Sequence, residues 1–499
     1  MDAQTRPRRQ TAREFAELVL DDGSFSPFAA HTTPDPDEGY RRELQAATER
    51  SGEAEAVLAG TGLLQGQPVV LMAGEFGFLG GSLGRAGGDA LLEAVEHATA
   101  HGLPLLAAPC SGGTRMQEGT PALVQMVKVA QAVNDHRRAG LPYLVHMRHP
   151  TTGGVLASFA SLGQWTSAEP SALVGFLGPR VQEVVNGERL PEGVQRAENL
   201  HRVGVIDAVL PNELVRETWH RLLRTWSGGD APDAVPDEHV VEAAARIDAW
   251  DAVLASRHPG RPGALDLLAT CGQDTVWLSG TGDGQVDPST RVGLVRLSGQ
   301  PCVVVAHDRE TDGRHPLGPA ALRIAQRGFR LAAELGLPVV TLVDTPGADV
   351  SVAAEEHALC VEIARCTAVL ADLPVPTVSV VLGRGTGGAT LALLPADRTL
   401  CAANGWVAPL PPEGASAIIH RTDERAADMA RLHRIGAHDL VDAGIADEVV
   451  AEPEVLDEAG ARLFCERMGQ AIARHLHELR AQDRDERLRQ RRTRLRSFG

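Results

Sequence analysis

With 499 residues, 43% of them hydrophobic, the chain has material for two sizeable cores, so two domains are expected. A formal charge of −17 argues against a nucleic-acid binder, because neutralising phosphates needs a basic face. The early arginines Arg6, Arg8, Arg9 and Arg13 lead into no apolar stretch, and no run is long enough to span a bilayer; a cytoplasmic protein without membrane contact is expected.

In chain order, "GQPVVLMAGEF" from Gly66 reads as β-rich, the Gly-rich loop "FGFLGGSLG" follows, and "GDALLEAVEHATAHG" reads as a helix. The apolar strand "PLLAAP" has no alternation, as expected of a strand buried on both faces. After it come the turn Ser111-Gly112-Gly113, a helix through "TPALVQMVKVAQAV", a second Leu-Pro strand and "TTGG" opening another helix. Residues 227–240, rich in Gly, Pro and Asp, read as a join between domains. The same order then returns. "GQPCVVVAHDR" from Gly299 repeats Gly66 at an offset of 233, "LGLPVVTLVDTPG" from Leu335 repeats His101 at 234, and Gly387-Gly388 repeats Gly153-Gly154 at 234. Strands alternating with helices, twice over, predict an α/β fold of two homologous domains, residues 1–228 and 229–499. From Arg484 to the end, seven arginines lie in helix-permissive sequence, which reads as a solvated terminal helix or as a dock for an acidic partner or a phosphate.

The stretch "VTLVDTPGADV" carries a D-x-x-G match at Asp344 to Gly347, the pattern with which GTPases sense a γ-phosphate. The single lysine, Lys128, sits in "QMVKVA" and completes no phosphate loop, so a nucleotide hydrolase is excluded. The repeat gives the stretch its other meaning, as the second copy of "PLLAAPCSGGTR". Paired small residues after buried strands, at Gly112-Gly113, Gly153-Gly154 and Gly388-Ala389, leave backbone amides sterically open to an oxyanion. Phosphate is one such anion. No basic residue accompanies the loops systematically, so enolate or carbonyl oxygens are the better match. Seven scattered cysteines, from Cys110 to Cys465, form no C-x-x-C pair, so neither a zinc ribbon nor a disulfide framework is expected.

The residues also carry a family resemblance. "FAELVLDDGSF", "EFGFLGGSLG", "SGGTRMQEG", "TTGGVLASFASLGQ" and "GERLPEGVQRAENLHRVGVIDAVL" closely resemble the β subunit of acetyl-CoA carboxylase carboxyltransferase. "RHPGRPGALDLL", "LGLPVVTLVDTPGADVSVAAEE", "GTGGATLALLPAD" and "PPEGASAIIHRT" resemble its α subunit, and together the two halves cover about residues 14 to 475. The resemblance implies two crotonase-like (ββα superhelix) domains, the first on the acyl-CoA side and the second on the biotin side. It implies transfer of a carboxyl group from carboxybiotin, borne on a separate biotin carboxyl carrier protein and charged by a biotin carboxylase, to acetyl-CoA or a short acyl-CoA. The product would be malonyl-CoA for fatty-acid synthesis, and the protein a homo-oligomer. By the same resemblance the oxyanion amides fall on Gly112, Gly113, Gly388 and Ala389, with Gly153 and Gly154 as internal counterparts. Gly80 and Gly81 fall near the acyl-CoA, and Gly347 on the biotin side. Arg115 is expected either to reach a CoA phosphate or to form a structural ion pair. Glu118, Glu355 and Glu356 read as helix-start carboxylates rather than bases, and His149 and His258 as turn residues. Leu391 is expected near the acyl pocket.

Several features depart from the family pattern. The four-cysteine zinc ribbon of bacterial β subunits is absent, so no metal is expected; the two subunits are fused; and His149 stands where β subunits commonly have Asp. No M-K-M biotin-attachment motif exists, so biotin must arrive on another protein. Two alternatives share the architecture: a malonyl-CoA-type decarboxylase, and a non-catalytic assembly subunit, which would have damaged glycine loops.

Overall fold

The computed structural model describes residues 9–178, 182–184, 187–188, 190–227, 244–309 and 316–497. Apart from Ser227, the expected join at residues 227–240 lies outside the described residues. The chain divides into two units. One comprises residues up to Leu223 with Gly282–Gly284, the other Arg224–Thr281 with Gln285 onward.

Unit 1 is built on a seven-stranded sheet. Its strands are β1 (Ser26–Pro27), β2 (Val57–Leu64), β3 (Gln67–Gly74), β4 (Leu105–Ala108), β5 (Tyr143–Met147), β7 (Trp165–Ala168) and β9 (Ala208–Val209), neighbours in that order. From β3 onward they run parallel, while β1 and β2 pair antiparallel. A small separate ladder joins β6 (Thr151–Thr152) to β8 (Val174–Gly175). All four residues of β4 and all five of β5 are buried, which is why neither shows polar alternation. The Arg85–His101 helix crosses from β3 to β4. It starts at Gly84 and stops at Gly102, whose φ of +65° is the left-handed stop that glycine adopts at low cost. Its buried face (Leu91, Ala94, Val95, Ala98) packs into one core with Val70, Met72, Leu105, Tyr143 and Val145.

Unit 2 repeats this plan. Strands β10 (Gly272–Leu278), β11 (Thr290–Leu297), β12 (Gln300–His307), β13 (Val339–Thr345), β14 (Thr377–Thr386), β15 (Arg398–Ala402) and β17 (Glu448–Val450) lie side by side in that order, and β16 (Trp406–Ala408) pairs with the end of β14. Its crossover helix, Pro319–Leu335, is likewise bounded by Gly318 and Gly336, the latter at φ +67°. A second core gathers Val304, Val340, Val378, Val380 and Leu400 against the long Glu458–Arg480 helix.

Two expectations need correction. The helix read through "TPALVQMVKVAQAV" is two, Thr120–Leu123 and Gln125–Arg138, and a loop separates them from Gly113. The terminal arginine-rich segment does form a helix, Arg484–Arg496, but it is not simply solvated, because Arg487 and Arg491 are buried in unit 2. Among the described residues no helix is long and apolar enough to cross a membrane.

Candidate functional site

In unit 1, β4 delivers the chain into the turn Ser111-Gly112-Gly113. The Ser111 hydroxyl donates to the Gly81 carbonyl at 2.5 Å and accepts from the Gly113 amide at 3.0 Å. The Gly112 amide donates to the Gly80 carbonyl at 2.9 Å, and Gly113 sits at φ +114°. This corrects the sequence reading: neither amide is free, and no helix begins here to polarise them. Gly80 and Gly81 are brought against this turn. A Cβ on Gly81 would lie 2.2 Å from the Cys110 carbonyl oxygen.

The open amides lie in the neighbouring turn. Thr152 donates its backbone N–H to the Ser111 carbonyl at 3.0 Å, and Gly153, at φ +66°, donates to the Phe176 carbonyl at 2.9 Å. Gly154 and Val155, inside the four-residue helix Gly153–Leu156, have no backbone acceptor among the described residues. The two glycine turns touch, since a Cβ on Gly153 would stand 2.9 Å from Gly113 Cα. A Cβ on Gly113 would stand 3.9 Å from the Gly154 nitrogen, so Gly113 keeps the approach to that amide clear.

Unit 2 builds the same arrangement. The Thr345 hydroxyl accepts from the Gly347 amide at 3.2 Å, with Gly347 at φ +135°. β14 runs into Gly387, at φ +62°, and the amides of Gly388 and Ala389 open the helix Gly387–Leu391 without a backbone acceptor among the described residues. Such short helices carry little dipole; what they present is two adjacent N–H groups fixed by a packed sheet. Val155 is the residue that sequence reasoning missed. It follows Gly154 as Ala389 follows Gly388, and the offset of 234 already pointed to it.

The charged residues near these turns are committed elsewhere. Arg115 is 0% exposed: its guanidinium pairs with both Glu55 oxygens, one at 2.9 Å, and donates to Ser82 O at 2.5 Å and Tyr40 Oη at 3.3 Å. Of the two roles expected for it, the structural ion pair is the one present. Glu118 accepts from Tyr40 Oη at 2.6 Å and from the Arg85 amide at 2.7 Å, holding the start of the Arg85–His101 helix. Burial and the Glu118 bond push the Tyr40 phenol up to about 12. Asp344, the first residue of the D-x-x-G match, is buried between Arg309 and Arg384, each at 2.9 Å. Glu355 and Glu356 are exposed on the Val352–Glu356 helix. His149 Nδ1 accepts from the Leu173 amide and His258 Nδ1 from the Gly260 amide, both local braces. Burial pushes the Cys110 thiol up to about 12, so it offers no thiolate at neutral pH. Among the described residues no group of three or more His, Cys, Asp and Glu stands placed to hold a metal ion. The chemistry this arrangement suits is stabilisation of developing oxyanions by fixed backbone donors.

The carboxyl transferase domain family matches residues 4–484. The chain belongs to that family. It is 48% identical over 494 residues to a probable biotin-dependent acyl-coenzyme A carboxylase beta3 subunit of Mycobacterium tuberculosis, covering 98% of this chain and 99% of the relative. It is 39% identical over 516 residues to the acetyl-coenzyme A carboxylase carboxyl transferase subunits beta/alpha of Salinispora tropica, covering 99% of this chain and 91% of that one. Among solved structures, transcarboxylase 12S superposes with a TM-score of 0.75 at 22% identity, over 95% of this chain and 91% of that chain. That likeness carries the fold, two crotonase-like domains.

In this carboxyl transferase, exposed apolar side chains recur at matching positions of the two units. Met116, Val127 and Phe176 are exposed in unit 1, and Val350, Val361 and Leu410 in unit 2, each pair of counterparts 234 residues apart; the Phe176 carbonyl accepts from Gly153, beside the Gly154–Val155 pair. Leu391, expected beside an acyl pocket, is exposed on the Gly387–Leu391 helix itself.

Proposed function

We propose that this chain is the carboxyltransferase of a biotin-dependent acyl-CoA carboxylase. It moves a carboxyl group from a biotin carried on another protein, and charged by a separate biotin carboxylase, to acetyl-CoA or another short acyl-CoA, giving malonyl-CoA or its homologue. The reading is supported above all by the duplicated pairs of unengaged amides, Gly154–Val155 and Gly388–Ala389, in a chain of this family. Residues 1–228 serve the acyl-CoA and residues 229–499 the biotin.

Carboxybiotin supplies the carboxyl group and, once relieved of it, the base for the α-proton. The chain's own part is to lower the cost of negative charge on two oxygens. Gly154 and Val155 donate to the thioester oxygen as the α-carbon loses its proton, and Gly388 and Ala389 donate to the ureido oxygen. Each donor is fixed before the charge develops, and that preorganisation is where such amides act. Gly113 and Gly347 keep side chains away from these donors, Gly80 and Gly81 seat the Ser111 turn beside the acyl group, and Gly112 ties that turn to Gly80. The apolar surroundings of each pair are completed by a second copy of the chain. Matching exposed apolar side chains in each unit suit pairing of like surfaces.

The test is the reverse reaction. With carboxyl-labelled malonyl-CoA and free biocytin, label should leave malonyl-CoA only when biocytin is present. Loss of label without biocytin would make the chain a decarboxylase, and no loss under either condition would remove the activity.

A further inference from the structure

We infer that the cleft between the last two helices of unit 2 binds a small phosphomonoester. The Glu458–Arg480 and Arg484–Arg496 helices and the start of β15 enclose a space of about 400 Å³. Five arginines line it against two carboxylates, in a chain whose overall charge is −17. Most of that positive charge is already matched. Arg491 makes a two-pronged pair with Asp397 at 2.7 and 2.6 Å, Arg489 holds Glu486, and Arg494 reaches Asp447 at 2.7 Å.

Two of the arginines keep unspent donors. Arg487 is 95% buried, yet its Nε has no hydrogen-bond acceptor among the described residues, and the nearest Asp397 oxygen stands 3.6 Å away. Its guanidinium donates to the Pro374 carbonyl at 2.6 Å. Arg398 donates only to the Asp397 backbone carbonyl at 3.0 Å and has no carboxylate partner among the described residues. A buried guanidinium with an unspent donor is costly unless an anion meets it, and phosphate oxygens fit its planar fork. The buried Gln482 side-chain oxygen also lacks a donor, which a ligand hydroxyl would supply. The space exceeds a bare phosphate, so the ligand is a phosphate ester with a hydroxyl-bearing body.

The full-length protein is titrated with ribose 5-phosphate, with inorganic phosphate, and with sodium chloride at matched ionic strength, and thermal shift is followed. A saturable rise in Tm is expected with ribose 5-phosphate, and a weaker one with phosphate. Arg398→Gln should weaken ribose 5-phosphate binding by about tenfold or more, the loss expected of one charge-assisted bond. Arg487→Gln should do the same, while Arg492→Gln, outside the cleft and paired with Asp372, should leave binding unchanged. If Arg487→Gln does not fold, Arg398→Gln decides alone. A rise no larger than that with sodium chloride, an equal rise in Arg398→Gln and Arg492→Gln, or inorganic phosphate binding at least as well as the ester would each overturn the inference.

Discussion

Gly113 and Gly347 hold φ values of +114° and +135°, which side-chain-bearing residues rarely adopt. Gly113→Ala adds that strain and a methyl group 3.4 Å from Gly153 Cα and 3.9 Å from the Gly154 nitrogen. Carboxyl transfer should therefore fall by about 10²-fold, the scale of losing one fixed oxyanion donor. Circular dichroism should remain native. Arg115→Gln separates the two roles once open for that residue. It leaves Glu55 buried without its ion-pair partner, so stability should drop by about 3–5 kcal/mol in urea unfolding. KM for acyl-CoA should not change in the protein that folds; a raised KM would restore the phosphate-contact reading. His307 gives a pH signature. Both ring nitrogens are buried without a hydrogen-bond partner among the described residues, and burial pushes the ring down to about 4 from 6.5. The fold thus favours the neutral ring, a contribution present above pH 6.5 and lost as pH falls toward 4. His307→Leu should flatten the loss of stability across that window by roughly 3 kcal/mol, with His146, also near 4, still titrating. An unchanged slope would contradict this. The glycine pairs were legible in the sequence because small residues after buried strands mark close backbone approach. Which amides remain open was not legible, because the Gly112 amide is taken by the carbonyl of Gly80, more than thirty residues earlier.

At the scale of elements, the repeat made the architecture readable in advance. β4 and β13, and β5 and β14, begin 234 residues apart, and the glycine-bounded crossover helices stand at the same offset. The fate of the terminal helix was hidden. Arg484–Arg496 has no apolar stripe to announce burial, and it docks through the Arg491 guanidinium, which reaches the carbonyls of Leu373 and Val375 and the carboxylate of Asp397. Arg491→Ala should cost about 3–5 kcal/mol by removing the two-pronged partner of that buried carboxylate. Arg492→Ala, which breaks only an exposed pair, should stay within about 0.5 kcal/mol of the parent in the same urea titration. Comparable losses in both would mean that the helix is held some other way.

For the whole molecule, the matched apolar residues predict assembly. Val127→Glu and Val361→Glu place a charge at equivalent positions of the two faces. Each should reduce the mass measured by light scattering on a sizing column while secondary structure persists. Mass unchanged in both would remove these faces from the interface. The central claim, that fixed backbone N–H groups stabilise the charge of carboxyl transfer, turns on a single hydrogen atom. Ala389→Pro deletes the amide N–H at a first-turn position where proline is tolerated, and Ala389→Gly keeps it. Biocytin-dependent loss of label from malonyl-CoA should fall by about 10²–10³-fold in Ala389→Pro and stay near the parent rate in Ala389→Gly. Transfer at the parent rate in a folded Ala389→Pro protein would contradict the account.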